Sequence, residues 1–134
     1  MELLSTDHVG ALLAIAALAA AAALLPRARP GGWVVPASRA LALAVLAAYL
    51  TDHAVAAARG IWTARLYLPL HLSDAAALTA VLALWTTRPQ LVELTYFWGL
   101  TGSLQASLTP DLGHEFPDVL FLTYFVVHGG TVVA

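Results

Sequence analysis

In the second half of the sequence His71, Asp74 and His128 are of the types that move protons. They stand in LHLSD and FVVHGG, segments otherwise apolar enough for a bilayer. Imidazole titrates near neutral pH. A histidine beside a bound ester can therefore take a proton from a hydroxyl and hand it to the leaving group. His128 suits that role, with Asp74 or His71 orienting it or the substrate. Ser73 is the nearest hydroxyl and a weak nucleophile candidate. A Ser–His–Asp hydrolase would need Ser73 or Ser103 within hydrogen-bond reach of a histidine, and no nucleophile-elbow motif is present. Asp52, Gln105 and Tyr124 are further polar residues in apolar stretches, expected to border one polar cavity with His71, Asp74 and His128. The plainer reading keeps each residue structural. His71 and Asp74 become a hydrogen-bonded first turn, Asp52 and His53 a wet helix end, Gln105 a tie between helices, and His128 a buried donor to a neighbour. His114 joins His71, Asp74 and His128 as a possible metal-ligand type, but a catalytic zinc needs three ligands and an open position, and no ligand spacing is recognisable. No metal and no cofactor is expected.

The elements that must carry these residues follow from composition. Of 134 residues, 60% are hydrophobic and 10% charged, with a mean hydropathy of +0.81. Soluble domains carry about 25% charged residues, so an all-α, multi-pass membrane bundle is expected. Membrane lipids are the expected partners. A net charge of −2 gives no footing for nucleic acid. Cysteine is absent, which removes disulfides, thiolate nucleophiles and cysteine metal sites. The basic residues are all arginine, which together with the alanine runs points to a GC-rich bacterial genome.

The apolar runs place about five helices, near residues 6–25, 38–59, 70–87, 90–108 and 118–133, with no sheet, because a spanning segment must satisfy its own backbone groups. The first run is too long for a signal-peptide core of about 7–15 residues and lacks a basic leader, so it reads as a retained helix. Pro26 should end it, and Ser38 is a plausible N-cap for the second. Residues 93–112, ELTYFWGLTGSLQASLTPDL, form the stretch around which the rest is arranged. The fourth helix should be the most buried, because Gly99, Gly102, Ser103 and Ala106 let a neighbour approach closely. Glu93 should sit near the positive end of its dipole. Arg27, Arg29, Arg39 and Arg88 fall on one side of the membrane and Arg59 and Arg65 on the other, beside acids that include Glu2. Basic residues prefer the cytoplasm, so the N-terminus is expected outside a cell membrane, with the polar cavity in the outer half. Tyr124, His128 and Thr131 form one polar stripe on the fifth helix.

LPLHLSDAAAL, ELTYFWGLTGSLQASLTPDL and FPDVLFLTYFVVHGGTVVA, taken in order, resemble the YwaF-type bacterial integral membrane proteins. The resemblance covers residues 66–134 well and the first two helices loosely. It implies a single transmembrane domain over residues 1–134, cut from a longer chain of about six or seven helices. That family is distantly similar to eukaryotic multi-pass proteins implicated in lipid acyl transfer or fatty-ester hydrolysis. Those use a nucleophile near the start of one helix and a histidine on a later one. His71 and His128 are the positions that carry over. The nucleophile does not carry over cleanly: the family often has cysteine where Ser73 stands. The resemblance thus implies a membrane-embedded lipid acyltransferase or esterase using intramembrane histidines. The other class of function is a non-enzymatic small-solute transporter or membrane scaffold, whose polar residues line a path or lock helices together.

Overall fold

The computed structural model describes residues 3–134, so Glu2 lies outside it. The described residues form helices and no strand. They are α1 (Thr6–Ala28), α2 (Val34–Ala58), a short α3 (Ala64–Tyr67), α4 (Leu72–Thr86), α5 (Pro89–Trp98), a π-helical turn (Gly99–Ser103), α6 (Leu104–Leu108) and α7 (Val119–Val133). By length and composition, α1 and α2 are long and apolar enough to cross a membrane, and α4 and α7 are shorter apolar helices. At about 1.5 Å per residue, α2 is roughly 37 Å long and α7 roughly 22 Å.

The helix ends depart from the sequence expectations for local reasons. Pro26 lies inside α1, which runs on to Ala28. Only one backbone donor is lost there, within the final turns. α2 starts at Val34, not near Ser38, with Pro36 in its first turn, where a missing N–H costs nothing. Ser38 is therefore mid-helix, and its hydroxyl donates to the Val34 carbonyl at 3.0 Å. Thr87, in the left-handed region at φ 55°, stops α4 and turns the chain into α5.

α7 is the helix the others pack around. Eight of its 15 residues are buried, from Leu120 to Thr131, so it, and not the predicted fourth helix, is the most buried. Along residues 89–108 only Thr95, Gly99, Ser103 and Ser107 are buried. The reason lies in two glycines. A Cβ on Gly129 would come within 2.5 Å of Ile15 Cγ1, and one on Gly130 within 2.5 Å of Val45 Cγ2. These gaps let α1 and α2 sit directly on α7, and Val45, Ala48, Ala77 and Val127 close the core between α2, α4 and α7.

Residues 89–108 make one helical rod with a π turn in its middle. Such single π turns recur at functional sites. Here the turn brings Gly99 against the Thr131 carbonyl and Gly102 against the first turn of α4. A Cβ on Gly102 would lie 3.3 Å from the Ser73 nitrogen and 3.4 Å from Leu72 Cγ. Gly102→Leu is therefore expected to overpack this contact and lower stability by about 1–3 kcal/mol. Thermal unfolding in detergent reads the change, and an unaltered midpoint would count against the packing role. Glu93 is exposed and lies beyond the first turn of α5. The helix dipole acts chiefly over the first turn, so the expected dipole stabilisation of Glu93 does not apply.

Candidate functional site

A cavity of about 510 Å³ opens at the end of the bundle where α2 and α6 finish and α4 and α7 begin. α2, α4 and α7 contribute polar side chains to its wall, and α6 contributes Ala106. Tyr49, Asp52 and His53 come from the last turns of α2, and His71, Ser73 and Asp74 from the start of α4. Thr123, Tyr124 and His128 come from α7, with Tyr67, Asp111 and His114 from the connecting segments. His71, Ser73, Asp74, His128, Asp52 and Tyr124 thus border one space. Gln105 does not. It is exposed, and its side-chain amide donates to the Thr109 hydroxyl at 2.7 Å, one turn on. Along this rod the buried positions are Thr95, Gly99, Ser103 and Ser107, and Gln105 falls on the outer side.

His128 is buried, at 9% exposure, with its ring 4.3 Å from that of Tyr124. Its Nδ1 has no hydrogen-bond partner. Buried polar atoms are nearly always paired, so this enclosed ring nitrogen of a residue that borders the cavity is an exception. Ser103 Oγ is the other buried polar side-chain atom without a partner among the described residues, and it belongs to the π turn packed beside α7. Tyr124 donates its hydroxyl to the Ala106 carbonyl at 2.9 Å, which fixes the ring that covers His128. Thr131, the third member of the expected stripe, bonds the Val127 carbonyl at 2.7 Å and lines a different groove.

His71 and Asp74 are linked through the start of α4. His71 is the N-cap, and the Asp74 N–H donates to its carbonyl at 3.1 Å. The Asp74 carboxylate interacts in turn with the His71 backbone N–H. Satisfying the cap from the third helical residue is half of a capping box. The His71 ring is exposed at the rim, where Nε2 lies 3.2 Å from the Arg65 carbonyl. The Leu72 and Ser73 backbone N–H groups have no acceptor among the backbone bonds, as the opening turn of a helix leaves them.

The other polar groups tie elements together. Asp52 accepts from the Thr123 hydroxyl at 2.9 Å, joining α2 to α7. His53 lies between the carbonyls of Tyr49, 3.0 Å from Nδ1, and Tyr67, 2.9 Å from Nε2. It holds the α3 segment over the cavity. A neutral imidazole has one ring proton, so it donates to one of these carbonyls at a time. At the mouth, Arg59 at the end of α2 donates to both carboxylate oxygens of Asp118, the N-cap of α7, at 2.8 and 3.0 Å. The Arg59 bond, with the Leu120 N–H, holds the Asp118 carboxyl below the usual range. A depressed carboxyl favours the folded state above its unfolded value, so this clasp persists at neutral pH and releases as pH falls through the lowered value.

One buried histidine outside the cavity wall escaped the sequence. His8, fully buried on α1, places Nε2 2.9 Å from the Ser107 carbonyl and accepts the Leu4 N–H on Nδ1 at 3.1 Å. Those two bonds fix the Nε2–H tautomer and pin α1 to α6. The only signal was its place in the first turn of the helix, which reads equally as an interfacial polar end. Among the described residues, no three His, Asp or Glu side chains converge to hold a metal ion.

The sequence matches the TMEM164 family over residues 3–134. No curated protein matches it. No solved structure matches it either.

Proposed function

The chain belongs to the TMEM164 family, a family of membrane proteins, and from that footing we propose that it is a membrane-embedded enzyme of lipid acyl transfer or ester hydrolysis. The observation that carries the reading is His128: buried, unpaired at Nδ1, and bordering the same cavity as Ser73 at the open first turn of α4. The eukaryotic proteins to which the YwaF-type family is distantly similar have a histidine on a later helix, the place His128 takes here, while their nucleophile does not carry over cleanly to Ser73.

In the proposed reaction His128 takes the proton from the attacking hydroxyl. That oxygen bonds to the ester carbonyl carbon, and the bond from carbon to the leaving alcohol breaks. The imidazolium returns its proton to the departing oxygen. With Ser73 as nucleophile this happens twice, once to load the acyl group and once to pass it to water or to an acceptor lipid's hydroxyl. In this reading the free backbone N–H groups at the start of α4 donate to the negative charge on the carbonyl oxygen. Asp74 and His71 shape this turn and act as positioning residues. The substrate is a membrane lipid, reached in a multi-pass protein of the cell membrane whose N-terminus and cavity face outward.

A second reading, a non-enzymatic transporter or scaffold, draws support from the bonds of Asp52 to Thr123 and Tyr124 to Ala106. There these residues serve as helix locks. A long-chain alkyl fluorophosphonate, which reacts with activated hydroxyls, separates the two. The enzyme reading expects labelling at Ser73 that is lost in Ser73→Ala and strongly reduced in His128→Ala. Silence from the folded wild-type protein, together with no ester turnover, favours the second reading.

A further inference from the structure

We infer that the opposite end of the bundle holds an anionic phospholipid, with an acyl chain in the groove between α4, α5 and α7 and its phosphate on Arg39 and Arg88. The inference is independent of any activity in the larger cavity.

The groove has a volume of about 370 Å³ and is walled by Leu84, Val92, Tyr96, Leu100 and Val132. Five hydroxyl-bearing residues reach it: those of Ser38, Thr87, Thr95 and Thr131 are spent on nearby carbonyls, Thr87 on Thr86 at 2.8 Å, and Tyr96 is exposed. Ser38 donates to the Val34 carbonyl, Thr95 to Leu91 and Thr131 to Val127, at 3.0, 2.8 and 2.7 Å. Beyond the Tyr96 hydroxyl, the side chains of the wall offer a polar ligand little, and the surface between them is mostly apolar. A hydrocarbon chain suits its apolar wall of Leu84, Val92, Leu100 and Val132.

Charge at the rim fixes the headgroup. Arg39 directly follows the groove residue Ser38, and Arg88 directly follows Thr87, which also lines it. Both arginines are exposed, and among the described residues neither makes an ion pair with an acid. The Arg39 guanidinium lies 5.3 Å from the centroid of the Trp85 ring, which orders it at the level where tryptophan meets the membrane interface. Arg88 is the N-cap of α5, whose start has no side-chain cap. A guanidinium matches phosphate with paired donors, and the apolar groove beneath demands that the phosphate carry a chain. A lipid satisfies both demands and a soluble anion only the first.

Mixed micelles of the full chain with phosphatidylglycerol or phosphatidylcholine test this, with retained lipid counted by native mass spectrometry. Each arginine near a membrane surface favours an anionic lipid by about fivefold, so the wild type should prefer phosphatidylglycerol by roughly 30-fold. The preference should fall to about fivefold in Arg39→Gln or Arg88→Gln and vanish in the double variant. It should persist in Arg65→Gln, whose charge is at the other end. Val92→Trp, which fills the groove, should reduce retention of both lipids. Equal retention of the two lipids by the wild type overturns the inference, as does an undiminished preference in the double variant or undiminished retention in Val92→Trp. Should a variant not fold, the wild type still decides. Its preference must shrink as salt rises from about 0.1 to 1 M, where the screening length drops from roughly 10 to 3 Å, and a preference indifferent to salt overturns the phosphate contact.

Discussion

His128→Ala is expected to lower acyl-ester turnover by about 10²–10⁴-fold, the usual contribution of a positioned general base, while the helical content is kept. The ring makes no hydrogen bond through Nδ1, so its removal strands no partner there. Its ring lies tilted against Tyr124 and borders a cavity that already exists, so its loss enlarges that space without opening a sealed core. This separates the two readings of the site. A residue serving as a lock would show its value in the unfolding midpoint. A base shows it in turnover, with a smaller change in the midpoint. His128→Gln, which keeps bulk and polarity but cannot cycle a proton, should be as inactive as the alanine variant. Turnover in either variant within about threefold of wild type would remove His128 from the chemistry.

Gly130→Ala is expected to destabilise the bundle by about 1–3 kcal/mol, although alanine is favoured over glycine inside a helix by about 1 kcal/mol. The added methyl would stand 2.5 Å from Val45 Cγ2. Val45 is fully buried, and a valine in a helix has one strongly preferred rotamer. Relief must come from separating α2 and α7, which opens the core around Ala48, Ala77 and Val127. The check is a double-mutant cycle by thermal unfolding in detergent. Val45→Ala should cost stability alone but recover most of the Gly130→Ala loss, because the two changes share one space. Additive losses would show that the contact between Gly130 and Val45 does not set the approach of these helices.

Much of the architecture is legible in the residues. A span without internal hydrogen bonds is untenable in lipid, so long runs of alanine, leucine and valine leave only helices. Their five positions were readable to within a few residues. The placing of His71, Asp74 and Asp52 toward one end follows from counting residues along helices joined by short turns. The errors came where local signals compete. Ser38 has the composition of an N-cap, yet Trp33 holds that place and Ser38 back-bonds in mid-helix. Glycine and serine in residues 93–112 signal close packing, but Gly129 and Gly130 in α7 signal it equally, and only the neighbours decide which approach is tighter.

The sequence by itself determined that the chain is an all-helical bundle, that its ionisable groups are few, and that His128 must turn away from lipid, because burying an unpaired polar group is costly wherever it lies. What only the tertiary structure decided is who meets whom. Gln105 bonds Thr109 on the outside of its helix, and the π turn at Gly99–Ser103 sets Gly102 against the start of α4. His8 reaches across from α1 to the Ser107 carbonyl, 99 positions away in the chain. Asp52 finds Thr123, while the Nδ1 of His128 finds no partner. Such pairings depend on the rotation of each helix about its own axis, which is fixed by interhelical packing and not by the hydrophobic period of any one segment: in lipid every face of a helix can be apolar, so no amphipathic stripe records which side turns inward.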